Sequence, residues 1–402
     1  MELVESDVAR APAPDDARDA AVRAVTAFTA DVYGLLARGA TGNLVCSPYS
    51  VAVALGMCLQ GARGGTATEI LDVLHATDAA ALAAGLNGID AALAARPGSD
   101  PGADRGVVLD GANSLWGQRG VGWRPEFLDV LAREFGTGMR VVDYLTDPEG
   151  ARRQINAWVA ERTRDRIPEL VPPGAITPDS RLTLVNALYL KASWQTPFVP
   201  DLTAAGPFHR VDGSTSTADL MHAGDGGTPV GWAEGDGWTA VDVPYADGEV
   251  ALAVVVPDAG RFAAVEGAMA GWLPRVLGGL ETFPVDLALP RWTSRTQVDL
   301  VPALAGLGMP GAFGPGADFG GMTGEERVFI GAAVHEGYIA VDEAGTEAAA
   351  ATAIVMRVMG LSSPPERSLV VDRPFLYVLH DRPTGTPLFV GRVLDPADAP
   401  PG

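Results

Sequence analysis

Side chains able to activate a nucleophile or hold a metal are few in this chain and badly spaced for either task. The five histidines, His75, His209, His222, His335 and His380, are scattered and no C-x-x-C occurs, so no metal site is expected. His335-Glu336 opens like a zinc-protease motif but continues Gly337-Tyr338-Ile339, and no G-x-S-x-G is present. One G-x-G-x-x-G match, at Gly306, Gly308 and Gly311, follows a predicted helix and runs into Ala312-Phe313-Gly314-Pro315-Gly316 instead of opening a helix. A phosphate cradle needs the opposite order, so these are assigned as turn glycines. Hydrolysis requires an activated nucleophile with a base in reach. The sequence gives no positive sign of one, so neither a catalytic residue nor a cofactor is assigned.

The most unusual pattern lies in Val341 to Val358, VDEAGTEAAAATAIVMRV. Its alanines have high helix propensity, which predicts a short surface helix from about Thr346. With a period of two, Thr346, Ala348, Ala350, Thr352, Ile354, Met356 and Val358 share one face, and Glu347, Ala349, Ala351, Ala353, Val355 and Arg357 the other. Both charges then fall on a single face. The opposite face is small and uncharged first and apolar later, as suits a strand that slides into a sheet. Gly345 supplies a hinge, since glycine crosses backbone regions other residues avoid. A loop in one state and a strand in another is therefore within reach of this segment.

The rest of the chain must position that segment. At 402 residues and 47% hydrophobic, it can bury a large core, and no linker or internal repeat divides it. The formal net charge is −21 and Lys191 is the single lysine; nucleic acid and anionic membrane surfaces are excluded as expected partners. The N-terminus lacks a basic n-region and an apolar h-region, and no run is expected to span a bilayer. Cys46 and Cys58 flank a predicted helix too long for a bridge, so two buried free thiols are expected.

Residues 17–38 carry Val22, Val25, Phe28, Val32 and Leu35 at helical spacing. Ser47 and Pro48 are placed to cap and start the next helix, and Thr66 and Glu69 have the spacing of a capping box. Residues 79–95 and 151–164 read as further helices, and Val107 to Trp116, which contains Asn113, as a strand. Leu182 to Trp194 is a near-continuous apolar strand of the kind buried on both faces, with Asn186 inside it. A buried amide needs partners, and His335 is the natural candidate. From Thr239 onward the chain is mostly strands. Helices first and strands later indicate an α+β fold.

Several of these segments resemble one family. The stretch from Val341 to Ala353 is similar to the reactive-loop hinge of inhibitory serpins. Asn43 to Ser50 resembles their N-x-x-x-S-P-x-S segment, Asn186 to Trp194 their N-A-x-Y-x-K-x-x-W strand, and Asp372 to Pro396 their C-terminal signature. The resemblance runs from about residue 20 to Pro396. It implies a serpin fold of three β-sheets with about eight or nine helices: residues 17–396 as one domain, 1–16 as a flexible extension, 397–402 as a tail, and an exposed reactive loop at about 343–366. It also implies that Ser47, Ser50, Asn186 and His335 form a polar cluster where two central strands part. Trp194 would stand at the top of its strand. Glu343, Gly345, Thr346, Glu347, Ala348, Ala349, Ala350 and Ala351 would be the hinge.

The implied activity is suicide inhibition of a serine protease. The protease acylates itself on the loop, which then inserts as a new central strand and carries it about 45 Å, at ~3.3 Å for each of about fourteen residues. Counting forward from Glu343 puts the reactive bond at Met359-Gly360. Counting back from Pro364-Pro365-Glu366 gives Leu361-Ser362, and Arg357-Val358 is the alternative a trypsin-like enzyme would choose. The forward count is preferred because insertion length must match the sheet. Met359 suits the apolar primary pocket of chymotrypsin-, elastase- or subtilisin-like proteases. Only Arg96 is basic between Thr77 and Asp104, so no polyanion cofactor is expected. A monomer is expected. The family implies an extracellular protein, whereas the missing signal peptide suggests a cytoplasmic one. The rival reading is a non-inhibitory serpin acting as a binding or carrier protein.

Overall fold

The computed structural model describes residues 2–12, 14–96, 107–224, 226–324, 327–346, 365 and 367–398. In chain order the first third forms β1 (Glu2–Val4), α1 (Asp15–Gly39), β2 (Leu44–Cys46), α2 (Pro48–Gly61), α3 (Gly64–Val73), α4 (Ala79–Ala94), β3 (Val107–Gln118), α5 (Pro125–Phe135) and β4 (Met139–Val142). Next come α6 (Pro148–Arg162), β5 (Leu182–Ser193), β6 (Ala204–His209), β7 (Thr215–His222), β8 (Thr228–Gly235), β9 (Trp238–Pro244) and β10 (Val250–Pro257). The remainder is α7 (Phe262–Gly267), α8 (Met269–Leu277), β11 (Glu281–Pro290), β12 (Trp292–Asp299), α9 (Leu300–Leu307), β13 (Ile330–Val341), β14 (Gly345–Thr346), β15 (Arg367–Val370), β16 (Phe375–Asp381) and β17 (Thr386–Val393). The α+β class is observed, and the nine α-helices among the described residues agree with the eight or nine expected from the sequence.

The strands form two hydrogen-bonded networks. The first has the order β1-β4-β3-β5-β14-β13-β12, with β5 and β13 also pairing directly. The second runs β2-β17-β16-β10-β9-β8-β11-β7-β6, with β15 on β11. Two of the three expected sheets are continuous in it, because β11 pairs with β8 over Glu281–Val285 and with β7 from Ala288. The apolar α2 and the inner faces of both networks share the main core, with Leu55, Leu184, Leu188, Val254 and Phe389 buried in it. On the outer face of the first sheet, Ile155, Trp158 and Val159 of α6 cover Trp116, Val185, Ala187 and Val334. Burial on both faces explains why β5 and β13 are apolar nearly throughout. Cys46 and Cys58 are free and buried; burial pushes the Cys46 thiol up to about 12 and the Cys58 thiol higher still.

Three expectations need correction. The first residues are no loose extension: Glu2–Val4 pair antiparallel with β4. Ser6 Oγ bonds Asp129, and Arg10 reaches Asn87 and Asp90. The open edge of β4 presents unpaired backbone groups that a strand satisfies, and composition gave no hint of that demand. Thr66 and Glu69 do not make a capping box, since α3 already starts at Gly64; they accept instead from the distant amides of Asp318 and Gly311. Finally, α1 is long and apolar enough to cross a membrane by length and composition. Here that face is spent on the core, where Val25, Phe28, Val32 and Tyr33 are buried.

Candidate functional site

The site is the seam between β5 and β13, built from its lower end upward. The two strands run parallel and pair directly from Leu182 opposite Ile330 to Leu188 opposite Gly337. Above that point they fork, and β14 fills the gap, antiparallel to both. Thr346 lies opposite Ala192 on one side and Val341 on the other. The reversal is made by a tight turn. Asp342 N donates to Gly345 O at 2.9 Å, while Asp342 Oδ1 accepts from the amides of Ala344 at 2.8 Å and Gly345 at 3.1 Å. Burial raises the Asp342 carboxyl above its usual range, opposed by those two amides. Gly345 has φ +153°, and a Cβ there would meet Ala192 O at 2.0 Å. Only glycine fits.

The turn is anchored from outside. Trp194 N donates to Ala344 O at 2.9 Å, its indole N–H to Asp342 O at 2.8 Å, and Phe198 N to Glu343 O at 3.0 Å. Trp194 stacks on Tyr245, with centroids 4.5 Å apart and planes 5° from parallel. The Tyr245 hydroxyl meets Thr346 Oγ1 at 2.6 Å. Arg291 Nε lies 2.8 Å from both oxygens of Glu343, which also accepts from Thr203. Burial works to raise the Glu343 carboxyl, but Arg291 and Thr203 outweigh it and hold the group below its usual range.

At the lower end, Asn186 and His335 face each other across the seam. The Asn186 amide donates to Ser50 Oγ at 2.6 Å and Asn113 Oδ1 at 2.8 Å, and its oxygen meets His335 Nδ1 at 2.5 Å. Ser47 N donates to His335 Nε2 at 2.9 Å, so Nε2 is bare and the ring proton sits on Nδ1. Ser47 Oγ donates to Leu388 O and caps α2 through Ser50 N. Burial lowers His335 to about 4, so this network is neutral. The Asn186 amide and both His335 ring nitrogens are satisfied, as a buried polar cluster requires.

The structure thus brings Ser47, Ser50, Asn186 and His335 together, and places Glu343, Gly345, Thr346 and Trp194 at the top of the same seam. Glu347, Ala348 to Ala351 and the reactive-bond candidates Arg357, Val358, Met359, Gly360, Leu361 and Ser362 lie outside the described residues. Five participants were missed by sequence reasoning: Asn113, Thr203, Tyr245, Arg291 and, as the turn's cap, Asp342. Asn113 alone left a signal, an amide inside a strand pattern. The others look like ordinary surface or turn residues until the chain is folded. Glu336, beside His335, is buried against Arg295 at 2.6 Å across β12.

Comparison with known proteins supplies the relatives. A family model described as Serpin (serine protease inhibitor) matches residues 23–396. An uncharacterised serpin-like protein of Thermococcus kodakarensis is 36% identical over 381 residues, covering 94% of this chain and 86% of that protein. A leukocyte elastase inhibitor of Bos taurus is 32% identical over 383 residues, covering 92% and 98%. Among solved structures, a highly specific serpin of the insect Tenebrio molitor superimposes with a TM-score of 0.79 at 28% identity, covering 93% of this chain and 98% of that one.

Proposed function

Because the chain belongs to the serpin family, we propose that it inhibits serine proteases as a suicide substrate, trapping the acyl-enzyme when the cleaved loop inserts between β5 and β13. The observation that carries this reading is β14. The first loop residues already occupy the fork, antiparallel to both neighbours, as an inserted strand must be. Thr346 faces inward and is fully buried, which agrees with a loop whose alternate residues are small and uncharged.

Continuing the register of Thr346 opposite Ala192 brings Thr352 level with Asn186 and Met356 level with Leu182, where β5 begins. The new strand would then have to separate Asn186 from His335, so the polar cluster is the lock on full opening. It also gives the loop a length limit. A reactive bond at Met359-Gly360 leaves enough chain to reach the base of β5. Cutting at Arg357-Val358 would leave two residues fewer, with Met356 still level with Leu182, so the preference for Met359 rests on the count from Glu343. Met359 preceded by Val358 suits an apolar primary pocket, and the similarity to leukocyte elastase inhibitors is in keeping with it.

Incubation with chymotrypsin-, elastase- and subtilisin-like proteases tests the reading. A complex that survives SDS is expected, releasing on denaturation a C-terminal peptide that starts at Gly360. A start at Ser362 would support the backward count, and a start at Val358 a trypsin-like target. Cleavage by every protease without a stable complex would overturn inhibition and leave a non-inhibitory binding protein.

A further inference from the structure

We infer that Tyr245 is a positioning residue for insertion: its hydroxyl, bonded to Thr346, fixes the register in which the loop enters between β5 and β13. This rests on the proposed loop insertion but not on any protease being trapped.

Tyr245 belongs to neither strand of the seam. It follows β9 in the second network, is fully buried, and is tied there by its own amide, which donates to Val250 O at 2.9 Å. Its ring is clamped by the Trp194 stack, and Trp194 in turn holds the Asp342–Gly345 turn by two hydrogen bonds. The hydroxyl is thus a fixed point supplied by the protein body, set against the only side chain of β14.

Register is what this contact can discriminate. A slip of one residue turns every loop side chain to the other face and would send the Glu347 carboxylate inward. A slip of two preserves the faces and puts Ala348 at the top. Backbone pairing alone does not distinguish that state from the correct one, because small residues follow one another from Ala348 to Ala351. The Tyr245 hydroxyl does, since alanine offers it nothing and a buried hydroxyl left without a partner is penalised. An alanine-rich hinge eases entry but carries little register information of its own. The Thr346–Tyr245 pair restores it.

The test measures insertion directly. The loop is cut with an excess of a metalloprotease, which forms no acyl-enzyme, and insertion is followed by tryptophan fluorescence and by the gain in thermal midpoint. Tyr245→Phe and Thr346→Val should each slow insertion about fivefold, the factor of one modest hydrogen bond. The double variant should be no slower than either single one, and Thr346→Ser should match the wild type. Thr346→Val leaves the body untouched, so a folding defect in Tyr245→Phe would not hide the effect. With a trapped protease, both variants should raise the moles of inhibitor consumed per mole of enzyme and leave the rate of initial attack unchanged. Insertion rates within twofold of wild type, or additive effects in the double variant, would overturn the inference, as would a wild type that does not insert after cleavage. Tyr245-dependent insertion in a chain that traps no serine protease would instead overturn the inhibitory reading alone.

Discussion

Between Leu182 and Leu188, β5 pairs directly with β13; at Ala192 and Ser193 the same strand pairs with β14. The two halves of the seam are held by different chemistry. At the top, the contacts are a glycine turn, an aromatic stack, one hydroxyl pair and the Glu343–Arg291 ion pair, whose arginine is partly exposed. At the bottom, a backbone ladder regular from Ala332 to Gly337 is fastened by a buried, uncharged network around Asn186 and His335. On the proposed mechanism, a strand entering from the top finds its place prepared. Further down it must break hydrogen bonds that are fully made. In the proposed insertion the seam is a wedge with a lock, and the energy released has to exceed the cost of opening the lock.

Breaking the wedge has the largest expected effect. Thr346→Arg places a charge where a side chain is fully buried, a penalty of several kcal/mol unless it is paired. The loop should still be cut, but the SDS-stable complex should vanish, as read on a denaturing gel. Undiminished complex would mean that position 346 does not enter the sheet.

Cleavage within residues 357–363 should raise the thermal midpoint by tens of degrees, because the inserted strand replaces a forked seam with a continuous one. An unchanged midpoint in calorimetry would remove the metastable state from the account.

The lock is sharpened by Asn186→Ala. Ser50, Asn113 and His335 each lose a partner, which should destabilise the intact protein by about 2–4 kcal/mol in denaturant titration. The same change should ease loop insertion after cleavage, whereas a change at Arg291 in the wedge should not.

The smallest effect is the pH dependence of the lock. Folding holds His335 at about 4 against an ordinary 6.5, so below pH 6.5 the unfolded chain takes up a proton that the folded one refuses. Stability from this group is complete above pH 6.5 and is lost as pH falls toward 4, by roughly 2 kcal/mol between pH 6.5 and 5. The difference in unfolding free energy between wild type and His335→Gln should show that slope, and a flat difference would mean the ring is not buried neutral.

Much of this was legible in the sequence. Local periodicity found α1, α2, α4, α6, β5 and β13, since apolar spacing follows directly from which face a helix or strand buries. Motif resemblance found four members of the polar cluster and, from the expected hinge, Glu343, Gly345 and Thr346, which the structure places at the top of the seam. Asn113 lay in an expected strand, but nothing local revealed that its amide shares a site with Ser50 and Asn186. The N-terminal strand escaped because a short acidic segment gains its pairing from an edge contributed by residues more than a hundred positions away.

By itself, the sequence determined much of the secondary-structure pattern, the family and the absence of any familiar hydrolase motif. Only the tertiary structure decided where the seam forks, that Thr346 already sits in it, and that Tyr245, Arg291 and Thr203 hold the hinge. The physical reason is that faces and periods are properties of consecutive residues. Partners of a buried hydroxyl or carboxylate are set by which distant backbone segments the fold brings within hydrogen-bond reach.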